Sequence, residues 1–213
     1  FRAPALETVR LGIVGLGERC GVLLEQLKTI PHAEVVGLCD LSLPALQAAA
    51  QECPPELSGA LHLFSGPQGY ERMLEEARPD AVLICTTWAT HASMAVAAME
   101  HGAHALVEVP LGLTLQELWQ VVDTAERTQR HCMMMENCCY GRDELMFLNM
   151  VRQGLIGDLL FCNMALWIGK PQDFASPYYH LKALNPHSCE IIRYFMGDVE
   201  AVQCFAMKSP GRT

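Results

Sequence analysis

Nowhere in its 213 residues does this chain string together the roughly 20 apolar residues that a membrane-spanning helix needs, so no membrane partner is expected. No Cys-x-x-Cys pair occurs among its 10 cysteines, and the vicinal Cys138-Cys139 is not zinc-ligand spacing. His32, His62, His101, His104 and His131 show no metal spacing either, which leaves them surface or strand-edge positions and the metal expectation at none. A basic surplus is missing as well: 24 acidic side chains face 15 Lys and Arg, for a formal net charge of −9. Nucleic-acid binding usually shows as a basic surface, so a small molecule is the expected partner. There are no internal repeats. An initiator methionine is also absent, since the sequence starts at Phe1; a trimmed leader or export signal stays open beside a cytoplasmic location.

What is present is a core. Hydrophobic residues make up 51% and charged ones 18%, the balance of a folded domain. Half of the cysteines (Cys39, Cys85, Cys132, Cys162, Cys204) sit inside apolar runs, where the thiol acts as a small hydrophobe; free thiols in a reducing compartment are the expectation. Buried-strand runs at Leu11–Val14, Val35–Cys39, Leu61–Phe64, Asp80–Thr86, His104–Glu108 and His131–Glu136 alternate with helical stretches. The first helix carries an apolar stripe of Val22, Leu23, Leu27 and Ile30. Later ones are expected at Leu43–Glu52, Tyr70–Ala77 and His91–Gly102, and Thr114-Leu-Gln-Glu117 is a capping box that opens another to Thr128. Alternation of this kind predicts an α/β fold, a doubly wound parallel sheet over residues 1–136. The texture then changes. A helix at Asp143–Gln153, a strand at Asp158–Ile168, a helix at Cys189–Met196 and a strand at Val199–Met207 are expected in a second domain, residues 137–213.

The most informative stretch is Val9-Arg-Leu-Gly-Ile-Val-Gly-Leu-Gly-Glu-Arg-Cys-Gly21, a strand that breaks into Gly15-Leu-Gly17 before a helix. Asp40 closes the next strand about 20 residues further on, the layout of a dinucleotide-binding βαβ unit. There the first glycine makes the turn, the second lets the backbone approach the pyrophosphate, and the helix N-terminus faces the phosphates. The third glycine position holds Cys20, for which a small local shift is expected. Asp40 would accept hydrogen bonds from the adenosine ribose and repel a 2′-phosphate, and Leu41-Ser42 offers no Arg, which favours NAD over NADP. A solvent-facing strand-end carboxylate is the plainer alternative.

Several blocks together resemble the Gfo/Idh/MocA oxidoreductases. Asp80-Ala-Val-Leu-Ile-Cys-Thr-Thr-Trp-Ala-Thr-His91 is similar to their strand followed by Thr-Pro-x-x-x-His, with Thr87 for proline. Glu108-Val-Pro110 stands where they have Glu-Lys-Pro, and Gly154-Leu-Ile-Gly157 resembles the turn into their second domain. His187-x-x-Glu190-x-x-Arg193 with Gly197 resembles the helix after their substrate pocket. Trp88 before His91, Val107-Glu-Val-Pro110 and the block His131–Arg142 look more narrowly like glycoside hydrolase family 109, α-N-acetylgalactosaminidase-like enzymes that keep NAD and recycle it. Asn185-Pro-His187 departs from that branch's Tyr-Pro-Thr-His. The resemblance implies a Rossmann-type domain followed by an α+β open-sheet C-terminal domain, here incomplete, through which homodimers or homotetramers form. Either truncation or loops closed up in the numbering would account for the shortness.

The resemblance also distributes roles. Gly15, Gly17, Glu18, Arg19, Asp40, Thr86, Trp88, His91, Glu108 and Asn137 are the expected cofactor contacts, with Glu108 either at the nicotinamide ribose or a helix-capping or solvent-facing acid. Val109 replaces the lysine that relatives use on the hydroxyl being oxidised, and valine moves no proton. His187 is the first catalytic candidate, since imidazole exchanges protons near neutral pH; a structural hydrogen bond at a helix start is its alternative. Tyr140 would bind a sugar hydroxyl, act as acid or base, or simply pack. Lys182, beside Tyr178, Tyr179 and His180, would stand in for the missing lysine or lie in solvent. Three functions follow: glycoside cleavage by transient oxidation with recycled NAD, simple NAD-dependent sugar or polyol dehydrogenation, or non-catalytic binding of NAD or sugar.

Overall fold

Among the described residues six strands, all parallel, form one sheet: β1 Val9–Val14, β2 Ala33–Asp40, β3 His62–Ser65, β4 Ala81–Ile84, β5 His104–Val107 and β6 Cys132–Met134. They lie in the order β3-β2-β1-β4-β5-β6 in a computed structural model that describes residues 2–161, positions 56 and 59 excepted. Helices α1 Glu18–Leu27, α2 Leu43–Glu52, α4 His91–Glu100 and α5 Leu115–Thr128 connect them, together with α3 Gly69–Arg72, which widens into a π-helical stretch at Met73–Ala77. This is the doubly wound α/β arrangement that the alternating pattern predicts. Chain order reverses between β1 and β4, and in such sheets the ligand crevice opens at the carboxyl ends of those two strands.

Each face of the sheet buries its own cluster. Ile13, Val35, Leu38 and Leu83 pack with Cys20, Leu23, Leu24 and Leu46 on the side of α1 and α2. Val14, Val36, Val82, Ile84 and Val107 pack with Met73, Ala95, Met99 and Val121 on the other. The odd spacing of Val35 and Leu38 on one face has a cause: a register shift against β1 inserts one residue into β2. Gly12 and Gly37 then leave room for fully buried Met73, whose side chain lies 3.0 and 2.9 Å from where their Cβ atoms would stand.

Two expectations fail in detail. Val22 and Ile30 are exposed, because α1 starts at the glycine turn and ends at Leu27; that phase turns Cys20, Leu23 and Leu24 inward and leaves Ile30 beyond the helix. Residues 158–161 of the strand expected at Asp158–Ile168 carry no strand, and Leu160 and Phe161 are exposed. The chain divides into two compact units, Phe1–Met135 and Glu136–Thr213. Among the described residues of the second, a 3-10 turn, Asn137–Tyr140, precedes helix α6, Arg142–Arg152, after which Gly154 takes a positive φ of 68°. The elements expected at Cys189–Met196 and Val199–Met207 lie outside the described residues.

Candidate functional site

The β1–α1 turn is built around one residue that must be glycine. Gly15 has φ +86°, and a Cβ there would sit 2.6 Å from the Cys85 carbonyl carbon and 2.7 Å from the Thr86 nitrogen. The backbone of β4's end therefore presses against the turn. Gly17, the N-cap of α1, is the opposite case: its missing side chain leaves open space and no side-chain cap. An uncapped helix N-terminus beside such space is where phosphate oxygens are accommodated. Cys20, in place of a third glycine, is 1% exposed and joins α1 to the core.

Asp40 does more than its sequence position suggests. Its Oδ2 accepts the Leu16 N–H at 2.7 Å and its Oδ1 accepts the Ser42 N–H at 2.7 Å, so the carboxylate ties the glycine turn to the end of β2. An ionised carboxylate has about four lone-pair sites, leaving two for ribose hydroxyls. Next to it opens a cleft of about 480 Å³ lined by Gly15, Asp40, Pro67, Tyr70, Thr86 and Met94, among others. The pieces present thus fit a dinucleotide: a close-approach turn, an uncapped helix and a carboxylate at the rim of a mostly apolar cleft.

Beyond β4 and β5 the wall is braced twice. Glu108, 8% exposed, accepts the Arg19 Nε–H on Oε1 and the Val109 N–H on Oε2 at 3.0 Å. His91, expected as a cofactor contact, is 1% exposed and bridges two backbone carbonyls, Pro110 from Nδ1 at 2.7 Å and Thr86 from Nε2 at 3.0 Å. It braces the wall from within. Burial pushes the nearby thiols up, Cys20 and Cys85 to about 12 and Cys39 to about 11, so these cysteines are inert neutral fillers.

The structure therefore brings Gly15, Gly17, Arg19, Asp40, Thr86 and Glu108 together around the carboxyl ends of β1, β2, β4 and β5. Trp88 is half-buried on the 3-10 turn Trp88–Thr90. Asn137 and Tyr140, both exposed, belong to the second unit. His187 and Lys182 lie outside the described residues. Sequence reasoning missed Tyr70, whose hydroxyl donates to the Met94 carbonyl at 2.7 Å, and Thr90, whose Oγ1 lies 2.8 Å from that of Thr86. The spacing of Thr86, Thr90 and Met94, four residues apart, is the signal that would have found that wall. Among the described residues no group of His, Cys, Asp and Glu is arranged to hold a metal ion.

A family model described as an oxidoreductase family with an NAD-binding Rossmann fold, that of Gfo/Idh/MocA, matches residues 9–136. The chain belongs to that family. It is 48% identical over 162 residues to glycosyl hydrolase family 109 protein 1 of Akkermansia muciniphila, covering 76% of this chain and 34% of that one. It is 46% identical over 159 residues to an alpha-N-acetylgalactosaminidase of Shewanella oneidensis, covering 74% and 35%. Among solved structures it is similar to the WlbA dehydrogenase of Chromobacterium violaceum in complex with NADH and UDP-GlcNAcA. There the TM-score is 0.77 with 18% identity, over 91% of this chain and 57% of that one, a likeness of fold. The chain spans about a third of the length of the two curated relatives. Within this Gfo/Idh/MocA chain, the turn, the acid Asp40 and the Glu108–Pro110 segment all fall inside the matched region.

Proposed function

We propose that this chain holds NAD and forms the cofactor-binding part of an enzyme that acts on a carbohydrate, cleaving a glycoside with NAD restored in each cycle. The observation that carries the reading is Val109, half-buried just past the end of β5 and set between buried Glu108 and Pro110. A side chain that neither gives nor takes a proton stands where net dehydrogenation needs a base. Bound NAD supplies a hydride acceptor next to the sugar.

The chain's own residues divide the remaining work. The first-turn N–H groups of α1 bind the pyrophosphate, Asp40 takes the adenosine ribose, and Glu108 takes the nicotinamide-side ribose. Asn137 assists the cofactor, Tyr140 binds or protonates a sugar oxygen, and His187, with Lys182 as second candidate, takes and returns the proton of the oxidised hydroxyl. The enzyme is expected to form homodimers or homotetramers. Identity of 46% and 48% over about three quarters of the chain to relatives named as an alpha-N-acetylgalactosaminidase and a glycosyl hydrolase family 109 protein supports this assignment.

Two assays on one NAD-loaded preparation test it. Release of nitrophenol from a nitrophenyl hexosaminide with no net NADH is the expected result, abolished in His187→Ala. Steady NADH accumulation with a free sugar or polyol would instead make it a dehydrogenase with a relocated base.

A further inference from the structure

Arg19 occupies an awkward place for a cation. It lies in the first turn of α1, where the helix dipole disfavours positive charge. Its Nε–H nevertheless reaches across to Glu108 at the end of β5, which is 89 residues away in sequence. The two side chains differ sharply in exposure, 42% for Arg19 and 10% for Glu108. A carboxylate that buried needs a charge or donor set to hold it, and among the described contacts Arg19 and the Val109 N–H are that set. Each takes one oxygen. The carboxylate is thereby locked in one orientation with lone pairs still free, as a group that must receive hydroxyls would be.

We propose that Arg19 is a positioning residue: it fixes the Glu108 carboxylate so that it accepts the hydroxyls of the nicotinamide-side ribose. This rests on the NAD reading above and adds to it which half of the cofactor Arg19 serves. The pyrophosphate is gripped by the open α1 N-terminus and the Gly17 space, and the Arg19 charge favours it in a general way. What is special to Arg19 is the second ribose, felt only through Glu108. Loss of Arg19 then lowers the preference for NAD over ADP, because ADP carries the adenosine and both phosphates but lacks that ribose.

The test is calorimetric titration of the full chain with NAD and with ADP, for wild type, Arg19→Ala, Glu108→Ala and the double variant. Arg19→Ala is expected to cut the NAD-over-ADP affinity ratio roughly tenfold, the scale of one hydrogen bond to a charged group. The double variant is expected to lose no more of the ratio than Glu108→Ala alone. Arg19→Lys keeps the charge without the Nε–H and is expected to lose part of the ratio, which covers a failure of Arg19→Ala to fold. Equal weakening of NAD and ADP, or additive losses in the double variant, would overturn the positioning role while leaving NAD binding intact. A wild type that binds neither nucleotide would overturn the NAD reading itself.

Discussion

Gly15 is the residue on which the turn depends. An alanine there takes an unfavourable positive φ and collides with the backbone of Cys85 and Thr86, neither of which can step aside as a flexible side chain would. Gly15→Ala is expected to destabilise the protein by about 1–3 kcal/mol and to abolish cofactor binding, seen together as a lower melting midpoint and a flat titration. Alanine at Gly17, where nothing lies within 4 Å, is expected to leave the melting midpoint nearly unchanged while weakening nucleotide binding. The contrast separates what the fold needs from what the ligand needs. Thiols at this scale are silent: Cys20, Cys39, Cys85 and Cys132, all pushed up to 11 or 12, are expected to resist alkylation at neutral pH until the protein is unfolded. Mass spectrometry of native against denatured labelling checks it.

Among the elements, α5 has its start written most completely in sequence. Thr114 accepts the Glu117 N–H at 3.2 Å while the Glu117 carboxylate accepts the Thr114 N–H at 2.9 Å, and the helix runs to Thr128 as the pattern predicts. Thr114→Ala is expected to cost about 1 kcal/mol, read from denaturant unfolding. Where β5 and β6 begin, the chain carries a pH-sensitive pair. Burial, then His131 and Arg130, hold His104 below its ordinary 6.5, and its Nδ1 accepts the His131 N–H at 2.9 Å. The neutral ring is the folded form. Its stabilising contribution is complete above pH 6.5 and disappears as pH falls through the lower folded value. Melting midpoints between pH 8 and 5 are expected to drop more steeply in wild type than in His104→Gln. Signals confined to a few neighbouring residues, such as the glycine turn, the capping box and the apolar strand runs, were thus legible in sequence. The α1 face was misread because its phase depends on where the turn begins, and the β2 bulge breaks strict alternation. Nothing local announces the Arg19–Glu108 pair or the His91 bridge, which exist only once β4 and β5 are side by side.

For the molecule as a whole, the proposed cofactor is a stabiliser. A ligand that binds only the folded state at 100 times its dissociation constant adds about 2.7 kcal/mol, an upward shift of roughly 5–10 °C for a chain of this size. NAD is expected to produce that shift and NADP little of it. Any attempt to reverse the preference meets Asp40 in its second capacity. Its carboxylate holds the Leu16 and Ser42 N–H groups as well as facing the cleft. Redesign for the phosphorylated coenzyme by removing this one acid would unpin the loop that grips every dinucleotide. Coenzyme exchange in this scaffold is therefore a problem of replacing a fastener, and a workable design must supply new acceptors for those two amides before it adds an arginine.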